Sequence, residues 1–141
     1  MPFVTTIAAA HRLRSSYCTL AHGRVLLDHF LSPAGLRAAI GDGRGEELDA
    51  LDAGVIELAD KVALDASSVT QADVDRLRSF GLSDADVVDV VLAAAVRCFF
   101  SKVLDGLGVQ ADARYAELDP ELRDALTVGR PIGVDVTPSS S

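Results

Sequence analysis

The sequence predicts an all-α protein. Apolar residues recur at spacings of three and four, and Ala, Leu, Asp and Arg outnumber the alternating β-branched runs that a sheet needs. Hydroxyl and carboxylate residues stand where helices should open, with Gly or Pro where they should close. The 141 residues suffice for one domain, burying roughly two-thirds of the surface that the unfolded chain exposes. The expectation is a compact bundle of about six to seven helices over 1–133, followed by a disordered tail over 134–141 rich in Pro and Ser.

The first helix is expected from Phe3 to Leu13. Arg14-Ser15-Ser16 then offers a hydroxyl cap to a second helix from about Tyr17 to Leu31, which Ser32-Pro33 ends. A short helix from Ala34 to Ile40 meets the breaker Gly41-Asp42-Gly43-Arg44-Gly45. Glu46 to Leu64 reads as amphipathic, with Leu48, Leu51, Val55, Leu58 and Val62 on one stripe. Thr70-Gln71-Ala72-Asp73 resembles a capping box and opens a helix that Gly81 closes in the left-handed conformation. Ser83-Asp84-Ala85-Asp86 repeats the device. The helix that follows runs to about Leu107, with Val87, Val88, Val91, Ala94, Ala95 and Phe99 too dense for one narrow face, so it is expected to be buried inside the domain or against another subunit. A last short helix spans Pro120 to Leu126.

Composition narrows the function. Hydrophobic residues make up 49% of the chain while aromatics are 5% and Trp is absent, so the core is aliphatic. A net charge of −8 repels a phosphate backbone, which argues against nucleic acid. The apolar start lacks the basic region that precedes a signal sequence, and the stretch from Val87 to Phe100 is interrupted by Asp89 and Arg97 and falls short of the ~20 residues that cross a bilayer. Cys18 and Cys98 are too few and too far apart for a metal cluster or a disulfide framework, which fits a reducing cytoplasm and neither metal nor cofactor.

The stretch RSSYCTLAHG, Arg14 to Gly23, bears the chemistry. Cys18 falls in the first turn of the second helix, where free backbone N–H groups and the helix dipole favour a thiolate. His22, four residues on, shares its face and can accept the thiol proton or stabilise the thiolate as imidazolium. The same spacing also fits a small buried cysteine beside a hydrogen-bonded histidine, since free cysteines are among the most buried residues. Cys98, on the dense helix, is expected to be buried. Arg97 and Lys102 beside it are expected to pair with Glu57 or Asp60, and His11 and His29 to be structural or surface residues.

SSYCTLAHG resembles the C-x-x-C-x-x-A-H signature of the carboxymuconolactone decarboxylase and alkylhydroperoxidase D superfamily, with Ser15 at the first cysteine, Cys18 at the second and His22 at the histidine. AAAHRLRSSYC, GLSDADVVDVVLAAAVRCFFSKVLDGLGV and ELDPELRDALTVGRPI extend the likeness to the peroxidase-related branch over most of residues 4–133. The resemblance implies an all-α fold in trimers or hexamers, with the motif helix near a subunit boundary. It implies a catalytic Cys18 that attacks a peroxide and a catalytic His22 in a proton relay. Two positions depart from the pattern: Ser15 cannot form the resolving disulfide, and Phe3 stands where the relay glutamate is expected. The chain also begins almost at the motif helix pair, where members usually carry further helices.

Three functions fit. The first is a thiol peroxidase acting on organic or hydrogen peroxides through a single cysteine, resolved by an external thiol reductant or by Cys98. The second is a lactone decarboxylase working by acid–base groups without a cysteine pair. The third is a non-catalytic helical oligomer that has lost the redox pair.

Overall fold

In a computed structural model the described residues, 2–41 and 45–134, form seven α-helices and no strand, as the sequence predicts. They are α1 (Pro2–Arg12), α2 (Ser16–His29), α3 (Pro33–Ile40), α4 (Ala50–Asp65), α5 (Gln71–Ser79), α6 (Asp84–Gly106) and α7 (Pro120–Leu126), with single 3₁₀ turns at Ala66–Ser68 and Ala113–Glu117. The breaker residues Asp42, Gly43 and Arg44, the tail over 135–141 and the side chain of Phe3 lie outside the described residues.

α1 sits at the centre, packed against α2, α3, α4 and α6. Val4, Ile7 and the run Ala8-Ala9-Ala10 are buried, and the methyl side chains of that run let neighbouring backbones come close. The larger core joins α1 to α2, α3 and α7 through Leu20, Leu26, Leu36, Leu122 and Leu126. A smaller cluster of Val55, Leu58, Leu77, Val87 and Val90 joins α4, α5 and α6.

Helix ends follow local chemistry. Ser83 accepts the Asp86 N–H at 3.2 Å while Asp86 accepts the Ser83 N–H at 2.8 Å, so both halves of the expected capping box form. Gly81, at φ +97°, closes α5 in the left-handed region as expected. The α4 boundary is a correction: the helix begins at Ala50, not Glu46. Asp49 and Asp52 make their own capping box there, and Gly45 and Leu48 pair in an isolated bridge ahead of it. The apolar period runs through Leu48 without a break, which hides the boundary from a reading of periodicity.

The α1–α2 turn is also closed by a device that the sequence does not advertise. The N–H of Ser15 donates to the Ala10 carbonyl at 3.1 Å and that of Arg14 to the His11 carbonyl at 3.0 Å, a Schellman pattern that places Arg14 at φ +56°, where glycine is usual. The chain after α7 clamps this turn. Gly129 donates its N–H to Ser16 Oγ at 2.8 Å, and Arg14 Nε donates to the Val128 carbonyl at 3.1 Å.

A β-carbon on Gly129 would lie 2.0 Å from the Arg14 carbonyl oxygen, so only glycine fits the clamp. Gly129→Ala is expected to cost about 1–3 kcal/mol in urea denaturation. Gly106→Ala, on an open stretch of α6 with nothing within 4 Å of the new carbon, should gain about 0.5–1 kcal/mol from helix propensity. Equal effects in the two variants would contradict the clamp.

Candidate functional site

The clamped turn delivers Cys18 to the third residue of α2, in its first turn as expected. The expected hydroxyl cap does not form. Ser15 occupies the N-cap with extended backbone (φ −91°, ψ 96°), yet its side chain accepts no helix N–H, and Ser16 Oγ is turned to Gly129 instead. Thr19 secures the turn from within, its hydroxyl donating to the Ser15 carbonyl at 2.7 Å. Ser15, Ser16, Cys18 and Thr19 are all buried, Cys18 to 1% exposure.

Across from Cys18 stands a residue assigned to a different role by sequence. Arg97 of α6 donates from Nη1 to Cys18 Sγ at 3.6 Å. Its guanidinium lies 5.6 Å from the Phe100 ring centre, a cation–π contact that helps to fix it. The expected pairing with α4 is therefore corrected: Asp60 is held by Arg12 at 2.8 Å and Glu57 by Arg76, which leaves neither for Arg97 or Lys102. Arg12 and Arg76 reach α4 from α1 and α5, the helices that flank it on that side.

Arg97 also acts on His22. Burial, and then the positive charge of Arg97, push the His22 imidazole down to about 4, so it is neutral at neutral pH. This corrects the imidazolium alternative. The fixed cation beside the thiol is Arg97, and His22 is a neutral acceptor. No hydrogen bond joins Cys18 and His22 directly among the described residues; Arg97 is what they share.

Cys98 is half-buried rather than buried, and its thiol is pushed up mainly by burial, with Lys102 opposing. His11 is half-buried and lowered by burial and by Arg12, while His29 is exposed, which suits structural and surface roles. An open apolar cleft of about 380 Å³ between α4 and α6, lined by Leu51, Val55, Leu82 and Val90 with Asp86 and Asp89 at its side, touches neither Cys18 nor His22. No group of three or more His, Cys, Asp or Glu among the described residues is placed to hold a metal ion. No helix among them is long and apolar enough to cross a membrane.

His22 gives the site a signature in stability. Its folded value lies below the unfolded one, so the unfolded chain binds the proton more readily; stability is complete above about 6.5 and is lost as pH falls from there toward about 4. His11 acts in the same direction. The urea midpoint is expected to drop between about pH 7 and about pH 5, and His22→Asn to show a smaller drop. An identical drop in the variant would place His22 in solvent.

No protein-family model matches the chain, and no curated protein matches it. Solved structures do. An uncharacterized peroxidase-related protein from Silicibacter sp. TM1040 superposes with a TM-score of 0.75 at 21% identity, covering 82% of this chain and 61% of that one. A peroxidase-related protein from Ralstonia eutropha JMP134, described as an alkylhydroperoxidase AhpD core, gives 0.74 at 19% identity, covering 81% and 60%. This chain thus spans about three-fifths of the length of the structures it matches. Over the matched region its fold is that of the AhpD core of peroxidase-related proteins.

Proposed function

We propose that the chain is a single-cysteine thiol peroxidase, with Cys18 as nucleophile and His22 as proton relay. The observation that supports this most is the Arg97 guanidinium held 3.6 Å from Cys18 Sγ. The guanidinium is placed to hydrogen-bond the sulfur during attack on a peroxide. The neutral imidazole one turn along can accept a proton and pass it on. The AhpD-core fold of the peroxidase-related neighbours agrees with the same chemistry.

In the reaction, the Cys18 thiol proton passes to His22 and the thiolate attacks the terminal peroxide oxygen. The S–O bond forms as the O–O bond breaks, the alkoxide or hydroxide leaves, and His22 returns the proton to it. Sulfur is oxidised by two electrons to the sulfenic acid while the peroxide is reduced to alcohol or water. Ser15 stands where a resolving cysteine would be, so an external thiol condenses with the sulfenic acid to release water, and a second thiol frees Cys18 as the external disulfide forms. Reduced thiols at Cys18 and Cys98 suit the cytoplasm for such a cycle. Burial of Cys18 means that peroxide arrives during local opening, which favours hydrogen peroxide over bulky hydroperoxides.

A homo-oligomer, trimer or hexamer, belongs to the same proposal. On α6, Val88, Leu92, Val96, Phe99 and Val103 form an exposed apolar stripe at helical spacing, opposite the buried Val87, Val90 and Ala94. Among the described residues only one side of this helix is covered, and a second copy is the partner that supplies the other.

The test is peroxide consumption with a small thiol reductant. Wild type and Cys98→Ser are expected to turn over, Cys18→Ser to fall to background, and Arg97→Gln to lose about 10- to 100-fold, the worth of one hydrogen bond to a charged group. Activity that survives in Cys18→Ser would refute the peroxidase, and inactivity of the wild type would leave a non-catalytic helical protein. Ser15→Cys should yield a disulfide to Cys18 after one equivalent of peroxide, seen in a peptide map. For the oligomer, Leu92→Glu with Val96→Glu is expected to lower the mass measured by light scattering on a sizing column; a wild-type monomer at micromolar concentration would oppose it.

A further inference from the structure

Three polar atoms, Ser15 Oγ, Arg97 Nε and Ser101 Oγ, are buried without a hydrogen-bond partner among the described residues, as is Asp60 Oδ1, whose other oxygen pairs with Arg12. Ser15 and Ser101 are both 0% exposed. Native structures seldom leave such atoms unmet, and each one calls for an explanation. These three are not scattered. Ser15, at the N-cap of α2, precedes Cys18 by three residues, and Ser101 follows Arg97 by four on one face of α6.

The chain after α7 fixes how the two helices lie. Gly129 is bound to Ser16 at the start of α2, and the next residue, Arg130, donates from Nη2 to the Asp105 carbonyl near the end of α6 at 2.8 Å. Arg97 meets Cys18 at the other end of the same stretch. The segment of α6 from Arg97 to Asp105 therefore runs past the first turn of α2, with Ser101 midway along it. Its hydroxyl is wholly buried on this stretch.

We infer that Ser15, Arg97 and Ser101 form a buried oxyanion pocket that takes the oxygen gained by Cys18 and holds it as a sulfenate, guarding it against a second oxidation. The inference rests on the peroxidase reading above. After the first step Cys18 carries one oxygen; hydroxyl and guanidinium donors around that oxygen draw charge from sulfur. Over-oxidation needs the sulfur lone pair to attack another peroxide, giving sulfinate and alcohol, so the pocket slows it. An external thiol attacks the sulfur while the sulfenate oxygen takes the thiol proton and one more from solvent, so the mixed disulfide forms and water leaves. Ser15 thereby binds the oxygen that a cysteine at its position would remove.

The experiment uses Cys98→Ser as background, leaving one thiol to report. Hydrogen peroxide is added without reductant, and sulfenate (trapped by dimedone) and sulfinate are quantified by intact mass at matched consumption of the free thiol. The background should accumulate mainly sulfenate. Ser15→Ala and Ser101→Ala should each raise the sulfinate-to-sulfenate ratio several-fold, and Ser101→Thr, which keeps the hydroxyl, should restore it. Melting temperatures of the alanine variants should stay equal or rise, because each removes an unpartnered buried hydroxyl. An unchanged ratio in both alanine variants overturns the pocket while the peroxidase stands. Alanine variants that melt lower and alkylate faster at Cys18 also overturn it, since exposure then explains the sulfinate. A background protein that forms neither oxide overturns the peroxidase reading, and the pocket with it.

Discussion

The geometry of the site depends on the burial of α1. With α2, α3, α4 and α6 packed around it, this helix has little room for side chains along Ala8-Ala9-Ala10, and it cannot shift without opening the larger core. Its last carbonyls, on Ala10 and His11, are the acceptors that close the Schellman turn. Because the turn is pinned from one side by α1 and from the other by Gly129, the first turn of α2 has a fixed height against α6. That height is what sets Cys18 against Arg97.

Arg14 shows the cost of this arrangement. A non-glycine residue in the left-handed region is under mild strain, and it is retained where surrounding contacts over-determine the backbone. Here the Arg14 side chain reaches the Val128 carbonyl while its own carbonyl packs on Gly129, so the strained residue is also the one that docks the C-terminal segment. Local strain and long-range docking are thus one feature.

Much of the fold was legible in the sequence because helices announce themselves by period and by caps. Ser83 with Asp86 and Gly81 gave the boundaries of α5 and α6 for the same reasons that the structure shows. The start of α4 was not legible, because Leu48 continues the apolar register past the residue that caps the helix. The 3₁₀ turns at Ala66–Ser68 and Ala113–Glu117 are too short to show a period. For the candidate site, the placement of Cys18 and His22 one turn apart on α2 could be read from their spacing. Arg97 could not: it is 79 positions from Cys18, and nothing local distinguishes it from an arginine in an ion pair. The one available signal was negative, namely that α6 offers Arg97 no carboxylate at three or four positions on either side.

That negative signal has a physical consequence. In a chain of net charge −8, carboxylates are plentiful, and Arg12, Arg24, Arg37, Arg76, Arg78 and Arg123 each find one. Arg97, like Arg14, Arg114 and Arg130, has no salt bridge with a carboxylate among the described residues, but of these four it alone has a buried Nε without a partner. A half-buried guanidinium without an anion is unfavourable, because it has given up water without gaining a counter-charge. The group at its tip is a sulfur that can become an anion. That sulfur is the acceptor that Arg97 has in place of a carboxylate. A neutral His22 fits this balance, since an imidazolium at the same place would add a second positive charge to one that is already unpaired.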